Sequence, residues 1–92
     1  MGLKVYLSTV SSNLEIKKHQ QKIEMVLSSK GYDVEYIDVA ASEEAKKKMR
    51  DLSGNPKALP PQIFNDDQYC GGFEAFDNAL EDERLEEFLK LK

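Results

Sequence analysis

The chain has 92 residues, enough for one small domain with a single core, and we expect residues 1–92 to form that domain. Its one cysteine excludes an internal disulfide, which argues against a disulfide-stapled secreted domain and favours a reducing cytosol. The net charge of −4 argues against nucleic acid as the main partner, and no stretch has the length and apolar composition of a membrane span, so neither is expected.

The N-terminal part of the sequence has the pattern of a β-α-β unit. Apolar residues alternate along Leu3–Leu7, which predicts a strand. A helix follows, because residues at helical spacing form one mainly apolar face, comprising Ile16, Gln20, Ile23, Val26 and Leu27. Gly31 ends this helix, and residues 34–39 are rich in β-branched and aromatic side chains. This succession predicts two parallel strands joined by a right-handed crossover.

The C-terminal part predicts a helix, a hairpin and further helical turns. Ser42 is the expected N-cap of the helix, which ends at Gly54. Two short apolar strands, residues 62–64 and 68–70, flank a polar turn. Apolar residues then line two helical faces, Phe73, Phe76 and Leu80 followed by Leu85, Phe88 and Leu89. The order β-α-β-α-β-β-α with a terminal helical turn predicts an α/β thioredoxin-like domain, a four-stranded mixed sheet flanked by helices.

Two adjacent prolines, Pro60 and Pro61, stand at the start of the third predicted strand, where a missing N–H is unusual. In the predicted topology this turn lies beside the end of the first strand and the start of the first helix, where ligands collect in open α/β sheets. We therefore predict that the Pro61 peptide bond is cis and that Pro60 is presented to a ligand. The alternative is an extended loop with a trans bond.

Several stretches resemble a known family. The first strand, the loop 8–12, the Pro60-Pro61 turn and the segment YCGGFE at 69–74 resemble a glutaredoxin from end to end. More closely, GNPK at 54–57, LPPQIF at 59–64, DQYCG at 67–71 and FLKL at 88–91 resemble the SH3-domain-binding glutamic-acid-rich-like proteins. The resemblance implies a small cytosolic protein that is glutaredoxin-like in shape, with a thioredoxin fold and without redox activity.

The loop after the first strand lacks the nucleophile of a glutaredoxin. Thiol–disulfide exchange requires a thiolate, which the start of a helix stabilises. Here the loop carries Ser8, Thr9, Ser11 and Ser12 but no cysteine. A hydroxyl hardly ionises and forms no disulfide, so thiol exchange at this position is excluded. We expect no catalytic residue, no enzyme activity and no cofactor.

Glutathione binding without chemistry is a separate possibility, at a vestigial ligand groove. The resemblance implies that the residue before the cis-proline pairs with glutathione through its N–H and its C=O, and Pro60 has only the C=O. The loss of one hydrogen bond costs about 0.5–1.5 kcal/mol, so binding should be weak or absent. The groove would consist of Thr9, Ser11, Ser12, Pro60, Pro61, Gly71, Gly72 and Glu74, the Gly71-Gly72 turn holding a carboxylate on free N–H groups and Glu74 adding a negative charge.

The remaining reactive side chains give two further hypotheses. Cys70 is a candidate redox thiol because it precedes a helix start, although a small apolar residue packed in the sheet is the favoured alternative. His19 flanks the apolar face of the first helix without a nucleophile nearby, so a partly exposed structural role is expected. No group of His, Cys, Asp and Glu residues has the spacing of metal ligands in the sequence, so no bound metal is expected.

Two motifs bear on protein partners. The family name implies SH3 binding, yet the three prolines give no P-x-x-P, which SH3 domains read as a polyproline II helix. Pro60, Pro61 and Phe64 match a P-P-x-x-F pattern of the kind that EVH1 domains bind, but an apolar strand triplet is more often core than ligand. A folded surface near the groove is therefore the favoured contact for a protein partner.

These observations predict a monomeric, non-catalytic protein-interaction module or modulator in the cytoplasm. The alternative function is weak glutathione binding or redox sensing through Cys70. The basic cluster 46–50 leaves a nuclear signal as an alternative to the solvated helix face that its pattern favours.

Overall fold

The computed structural model of the protein describes residues 2–10 and 13–91. Its elements follow the predicted order, with a short fourth helix as the terminal helical turn. They are β1 (Leu3–Leu7), α1 (Leu14–Ser29), β2 (Val34–Asp38), α2 (Glu43–Ser53), β3 (Gln62–Asn65), β4 (Gln68–Gly72), α3 (Phe73–Glu81) and α4 (Leu85–Phe88). The second strand ends at Asp38, one residue earlier than the sequence pattern predicts.

The four strands form one mixed sheet in the order β2-β1-β3-β4. β1 runs parallel to β2 and antiparallel to β3, and β3 and β4 form the predicted antiparallel hairpin. The predicted parallel pair is thereby confirmed. Tyr6 of β1 lies opposite Gln62 of β3, so the residues that follow β1 adjoin the Pro60-Pro61 turn that precedes β3.

One face of the sheet packs against three helices. Leu3, Val5 and Ile63 point to this face and are buried. The helices contribute the rest of this core cluster, which consists of Ile23, Leu27, Phe76, Leu85 and Leu89. Because buried apolar area is the main stabilising contribution to folding, α1, α3 and α4 are fixed on this side.

The other face packs against α2 and the loops that flank it. Tyr6 and Phe64 meet here with ring centroids 5.1 Å apart, edge to face, and the helix supplies Met49. Val39 and Ala58 complete this second core cluster. Since helices cover both faces, the alternation along β1 separates two cores and not a core from solvent, as is usual in α/β sheets.

Polar side chains fix the ends of the helices. The Asn13 carboxamide oxygen accepts hydrogen bonds from the backbone N–H groups of Glu15 and Ile16, which caps α1. The Ser42 hydroxyl accepts from the N–H of Ala45 at 3.1 Å, so the predicted cap of α2 is confirmed. At the other end of α2, Gly54 adopts the left-handed conformation with φ of 73°, which favours glycine.

Asn65, at the end of β3, is the buried polar residue of the sheet. Its amide nitrogen donates to the carbonyl of Leu89 at 2.8 Å and to that of Lys90 at 3.3 Å. These bonds tie the C-terminal segment to the sheet.

None of the helices within residues 2–10 and 13–91 is long and apolar enough to cross a membrane.

Candidate functional site

The site is built around the cis peptide bond between Pro60 and Pro61, which confirms the predicted isomer. Pro61 is buried and Pro60 is half-buried. Gln62 holds the turn through its side-chain amide. The amide nitrogen donates to the Leu59 carbonyl at 2.8 Å, and the amide oxygen accepts from the Tyr69 hydroxyl at 2.7 Å. The turn is therefore held by side chains of the β3–β4 hairpin.

The loop after β1 lies on the neighbouring side of this turn and is fixed by two side chains. The Gln20 amide pairs with both backbone groups of Ser8, accepting from its N–H at 2.8 Å and donating to its carbonyl at 3.0 Å. The Asp38 carboxylate accepts from the Thr9 hydroxyl at 2.6 Å and from the Thr9 N–H at 3.3 Å. The hydroxyl of Thr9 is thus engaged within the protein, while the predicted groove residues Ser11 and Ser12 lie outside the described residues.

These hydrogen bonds change the acidity of Asp38. The Thr9 hydroxyl bond is the largest cause that lowers the pKa of the Asp38 carboxyl below its ordinary value, and backbone N–H groups of Thr9 and Ala40 add to it, against a smaller effect of desolvation. A carboxylate that accepts several hydrogen bonds stays ionised to lower pH. Asp38 therefore acts as a charged anchor for the loop across the pH range near neutrality.

Two residues of this arrangement, Gln20 and Asp38, were missed by sequence reasoning. Gln20 interrupts the apolar face of α1 four residues after Ile16, and a polar residue in that place is a signal of a specific hydrogen-bonding role. Asp38 ends β2 beside the carboxyl end of β1, where the loop begins. Its position in a parallel pair is the signal that could have identified it.

The third side of the site is the junction of β4 and α3. Gly72 pairs with Gln62, and a Cβ placed on Gly72 would lie 3.7 Å from the Pro61 carbonyl oxygen, so this predicted groove residue does adjoin the cis-proline. Gly72 is the N-cap residue of α3, and no side chain caps this helix start. The exposed Glu74 carboxylate lies in the first turn of the helix. The Glu74 carboxylate would therefore repel an anionic group of a ligand at this helix start.

Gly71 is required by the space around it. Its φ is 149°, and a Cβ at this position would lie 2.9 Å from the Ala75 Cβ and 2.9 Å from Cε1 of Phe88. Real Cβ atoms do not approach carbon this closely, and side chains rarely adopt this backbone conformation. The glycine thus lets α3 and α4 approach the end of β4.

Phe73, the first residue of α3, is occupied by contacts with α1. Its ring stacks on the His19 imidazole with centroids 3.8 Å apart and planes 2° from parallel. The Lys22 ammonium lies 5.9 Å from the Phe73 centroid and forms an ion pair with Asp77 at 2.6 Å. His19 is half-buried at this seam, in agreement with the structural role expected for it.

The candidate redox thiol, Cys70, is half-buried and packs against the core cluster of α1, α3 and α4. Burial raises the pKa of the Cys70 thiol above its ordinary value, although the Lys90 charge and the Asn65 N–H oppose the shift. The neutral thiol is therefore favoured at this position. The packed alternative describes this residue better than the redox one.

The candidate EVH1 motif of Pro60, Pro61 and Phe64 is not accessible in the folded chain, as the favoured alternative of a core strand predicted. Phe64 is fully buried between Tyr6 and Tyr69, and Pro61 is buried as well. β3 is hydrogen-bonded on both sides, so its residues cannot be presented as a polyproline ligand without unfolding the sheet.

The rim of the site is apolar and open to solvent. Val10 is 76% exposed, Leu14 67% and Leu59 60%. They stand on the loop after β1, the start of α1 and the turn before β3, the three segments that the sheet register brings to one end of the molecule. We call these three residues the apolar rim.

Among the described residues, no group of three or more His, Cys, Asp or Glu side chains could hold a metal ion.

Comparison with known proteins identifies related sequences. A family model described as "SH3-binding, glutamic acid-rich protein" matches residues 1–92. A Drosophila melanogaster protein named "SH3 domain-binding glutamic acid-rich protein homolog" is 42% identical over an alignment of 105 positions, which includes 99% of this chain. The chain spans 65% of the length of that curated relative.

Solved structures show the same fold. The actin-interacting protein Aip5 of C. albicans is similar with a TM-score of 0.79 and 26% identity, covering 99% of this chain and 90% of that one. A glutaredoxin from Brucella melitensis has a TM-score of 0.71 and 22% identity, with 98% and 89% covered. A buckwheat glutaredoxin–glutathione complex has a TM-score of 0.70 and 15% identity, with 96% and 76% covered. The glutaredoxin likenesses concern the fold alone, and they confirm the predicted thioredoxin-like architecture.

Proposed function

This chain belongs to the SH3-binding, glutamic acid-rich protein family, and from that premise we propose that it is a non-catalytic protein-interaction module that works in the cytoplasm. The family name supports binding as the activity. A thioredoxin-like fold by itself is compatible with either binding or catalysis, so the choice between them depends on the chemistry of the site.

The observation that carries the proposal is the position of the one cysteine in the sequence. Disulfide exchange requires an accessible thiolate at a helix start. The loop 8–12 contains no cysteine, and Cys70 lies on β4, half-buried and with a raised pKa. The chain has the cis-proline and the fold of a glutaredoxin, but the loop 8–12 lacks the nucleophile.

The apolar rim supports a protein partner at this end of the molecule. Large apolar side chains that stay exposed at one end of a folded domain are candidates for contact with a partner. The names of the relatives refer to SH3 domains, and a structural neighbour is named for its interaction with actin. Since this sequence has no P-x-x-P, contact with an SH3 domain would use the folded surface and not a linear motif.

A titration of the isotope-labelled protein with monomeric actin, and separately with an SH3 domain, tests this proposal. We expect amide shifts at Val10, Leu14 and Leu59, and about tenfold weaker binding in the Val10→Ser/Leu59→Ser variant. Met25, 65% exposed on α1, provides the control variant Met25→Ser, which should bind as the wild type does. Shifts that avoid the apolar rim, or an equal loss in the control, would count against this surface.

Weak glutathione binding is the alternative function, supported by the uncapped start of α3 at Gly72 beside the cis-proline. Pro60 offers no N–H to the ligand, and Glu74 places a like charge where a glutathione carboxylate would lie. An amide titration with reduced glutathione separates the two functions. Saturating shifts confined to residues 71–74 and the loop after β1 would support the alternative.

A further inference from the structure

β2 is an edge strand of the sheet. Within residues 2–10 and 13–91 it has β1 as its one strand neighbour, so its outer backbone groups face no other strand. The Val39 N–H donates to the Leu7 carbonyl, and in a parallel ladder alternate residues bond to the same neighbour. Ile37 and Glu35 therefore direct their backbone groups to β1, while Val34 and Tyr36 direct theirs outward.

A concavity of about 410 Å³ runs along this edge, between β2 and α1. Val34, Tyr36 and Tyr32 line it from the sheet side, and Glu24 and Ser28 line it from α1. Tyr36 is 38% exposed at this edge. Its partial burial, and after it the nearby Glu24 charge, raise the pKa of the Tyr36 hydroxyl. The strand edge thus has a recess beside it in which Val34 and the rings of Tyr32 and Tyr36 give apolar contacts among polar groups of Glu24, Ser28 and Asp33.

The charges along β2 are negative. Asp33, which immediately precedes β2, and Glu35 of β2 are both exposed and lie two residues apart. Lys4 is the register partner of Glu35 on β1, yet within the described residues no Lys, Arg or His nitrogen comes within 4.0 Å of either carboxylate. A segment with cationic side chains at alternate positions would complement both carboxylates.

We propose that the edge of β2 binds an extended basic segment of a partner protein, which pairs with Val34 and Tyr36 as an added strand. Its alternate apolar side chains enter the recess beside Tyr36, and its cationic side chains meet Asp33 and Glu35. Backbone hydrogen bonds supply affinity in this mode of recognition, and the side-chain pockets supply specificity. The surface shares no residue with the apolar rim, so this inference goes beyond the proposed function.

The same charges argue against a second copy of the chain as the occupant. A second β2 would bring its own Asp33 and Glu35 to the edge, and the chain carries a net charge of −4. Acidic side chains on an edge strand disfavour pairing between identical chains. They attract a basic segment for the same physical reason.

A short peptide of alternating valine and arginine is the probe, and the valine–glutamate peptide of equal length is its control. We expect the basic peptide to shift the amides of residues 33–37 and to slow hydrogen exchange of the Tyr36 N–H by about tenfold or more, because that outward N–H becomes bonded. The Asp33→Asn/Glu35→Gln variant should bind the peptide about 3- to 10-fold more weakly, as expected for the loss of two exposed ion pairs.

The Glu81→Gln/Asp82→Asn variant makes the same change in net charge at the far end of α3 and should bind as the wild type does. Equal weakening in both variants would overturn the inference, since it would indicate attraction by net charge alone. Unchanged exchange of the Tyr36 N–H at saturation, equal binding of the glutamate peptide, or broadening at β2 that depends on protein concentration without peptide would each overturn it too.

Discussion

Single side chains that bind backbone groups give the site its shape. Gln20 holds Ser8, Asp38 holds Thr9, and Gln62 holds Leu59, each by hydrogen bonds of 2.6–3.3 Å. The sequence predicted the cis bond at Pro61, because proline has distinctive backbone chemistry, and the structure places Gly72 beside it. It did not predict Gln20 or Asp38, since a glutamine on a helix or an aspartate after a strand has many roles until the neighbouring element is placed.

Replacement of Gly71 tests the close approach of α3 and α4 to β4. The Gly71→Ala variant should lose more stability than Gly31→Ala, by about 1–3 kcal/mol in the free energy of unfolding, because its Cβ meets Ala75 and Phe88 at 2.9 Å. Gly31 is the matched control, since its φ of 78° also favours glycine but no atom lies within 4 Å of the added Cβ. Urea unfolding measures both variants, and equal losses would contradict the steric account.

The raised pKa of Cys70 predicts a slow and pH-dependent reaction. Burial disfavours the folded thiolate, so iodoacetamide should alkylate native Cys70 more slowly than the unfolded chain in urea at each pH near neutrality. The sign for stability follows from linkage. The contribution of the Cys70 thiol to the stability of the fold is fully present below the pKa of the unfolded thiol. It is lost as the pH rises through the higher pKa of the folded thiol. Faster alkylation of the native chain would show an activated thiol instead.

At the scale of elements, periodicity in the sequence was sufficient for the order and direction of strands and helices. The alternation in β1 distributes its side chains between the two core clusters, and the helical spacing in α1 places Ile23 and Leu27 in the first of them. The burial of Asn65 was not predictable in the same way, because it depends on a contact with the C-terminal turn, which is distant in sequence.

Asn65 provides the test of how the C-terminal segment is held. The Asn65→Ala variant removes the two hydrogen bonds to the Leu89 and Lys90 carbonyls from a buried position, which should cost about 1–3 kcal/mol in the free energy of unfolding. Asn78→Ala, at an exposed position of α3, should change it by less than about 0.5 kcal/mol. Urea unfolding and hydrogen exchange of the Leu89 N–H measure these effects. Unchanged exchange at Leu89 in the Asn65 variant would contradict the proposed tie.

At the scale of the whole molecule, one sheet covered on both faces presents two separate surfaces. The carboxyl end of β1 adjoins the cis-proline and the apolar rim, and the outer edge of β2 adjoins the recess and the exposed carboxylates of Asp33 and Glu35. The fold and a contact surface near the cis-proline were predictable from pattern and resemblance together, whereas the residues of the apolar rim and the recess at β2 were not, because exposure depends on the packing of distant segments. Residues Val10, Leu14 and Leu59 are apolar in the sequence, and the structure is what identifies them as exposed.

Thiol–disulfide turnover is the most direct test of the central claim, that this glutaredoxin-shaped domain is not an oxidoreductase. The measurement is the reduction of hydroxyethyl disulfide by reduced glutathione, with the wild type, the Cys70→Ser variant and a protein-free control. We expect the same rate in all three, because the loop 8–12 has no thiol and Cys70 is half-buried with a raised pKa. Turnover by the wild type that the Cys70→Ser variant abolishes would contradict the claim and make this protein a one-cysteine redox enzyme.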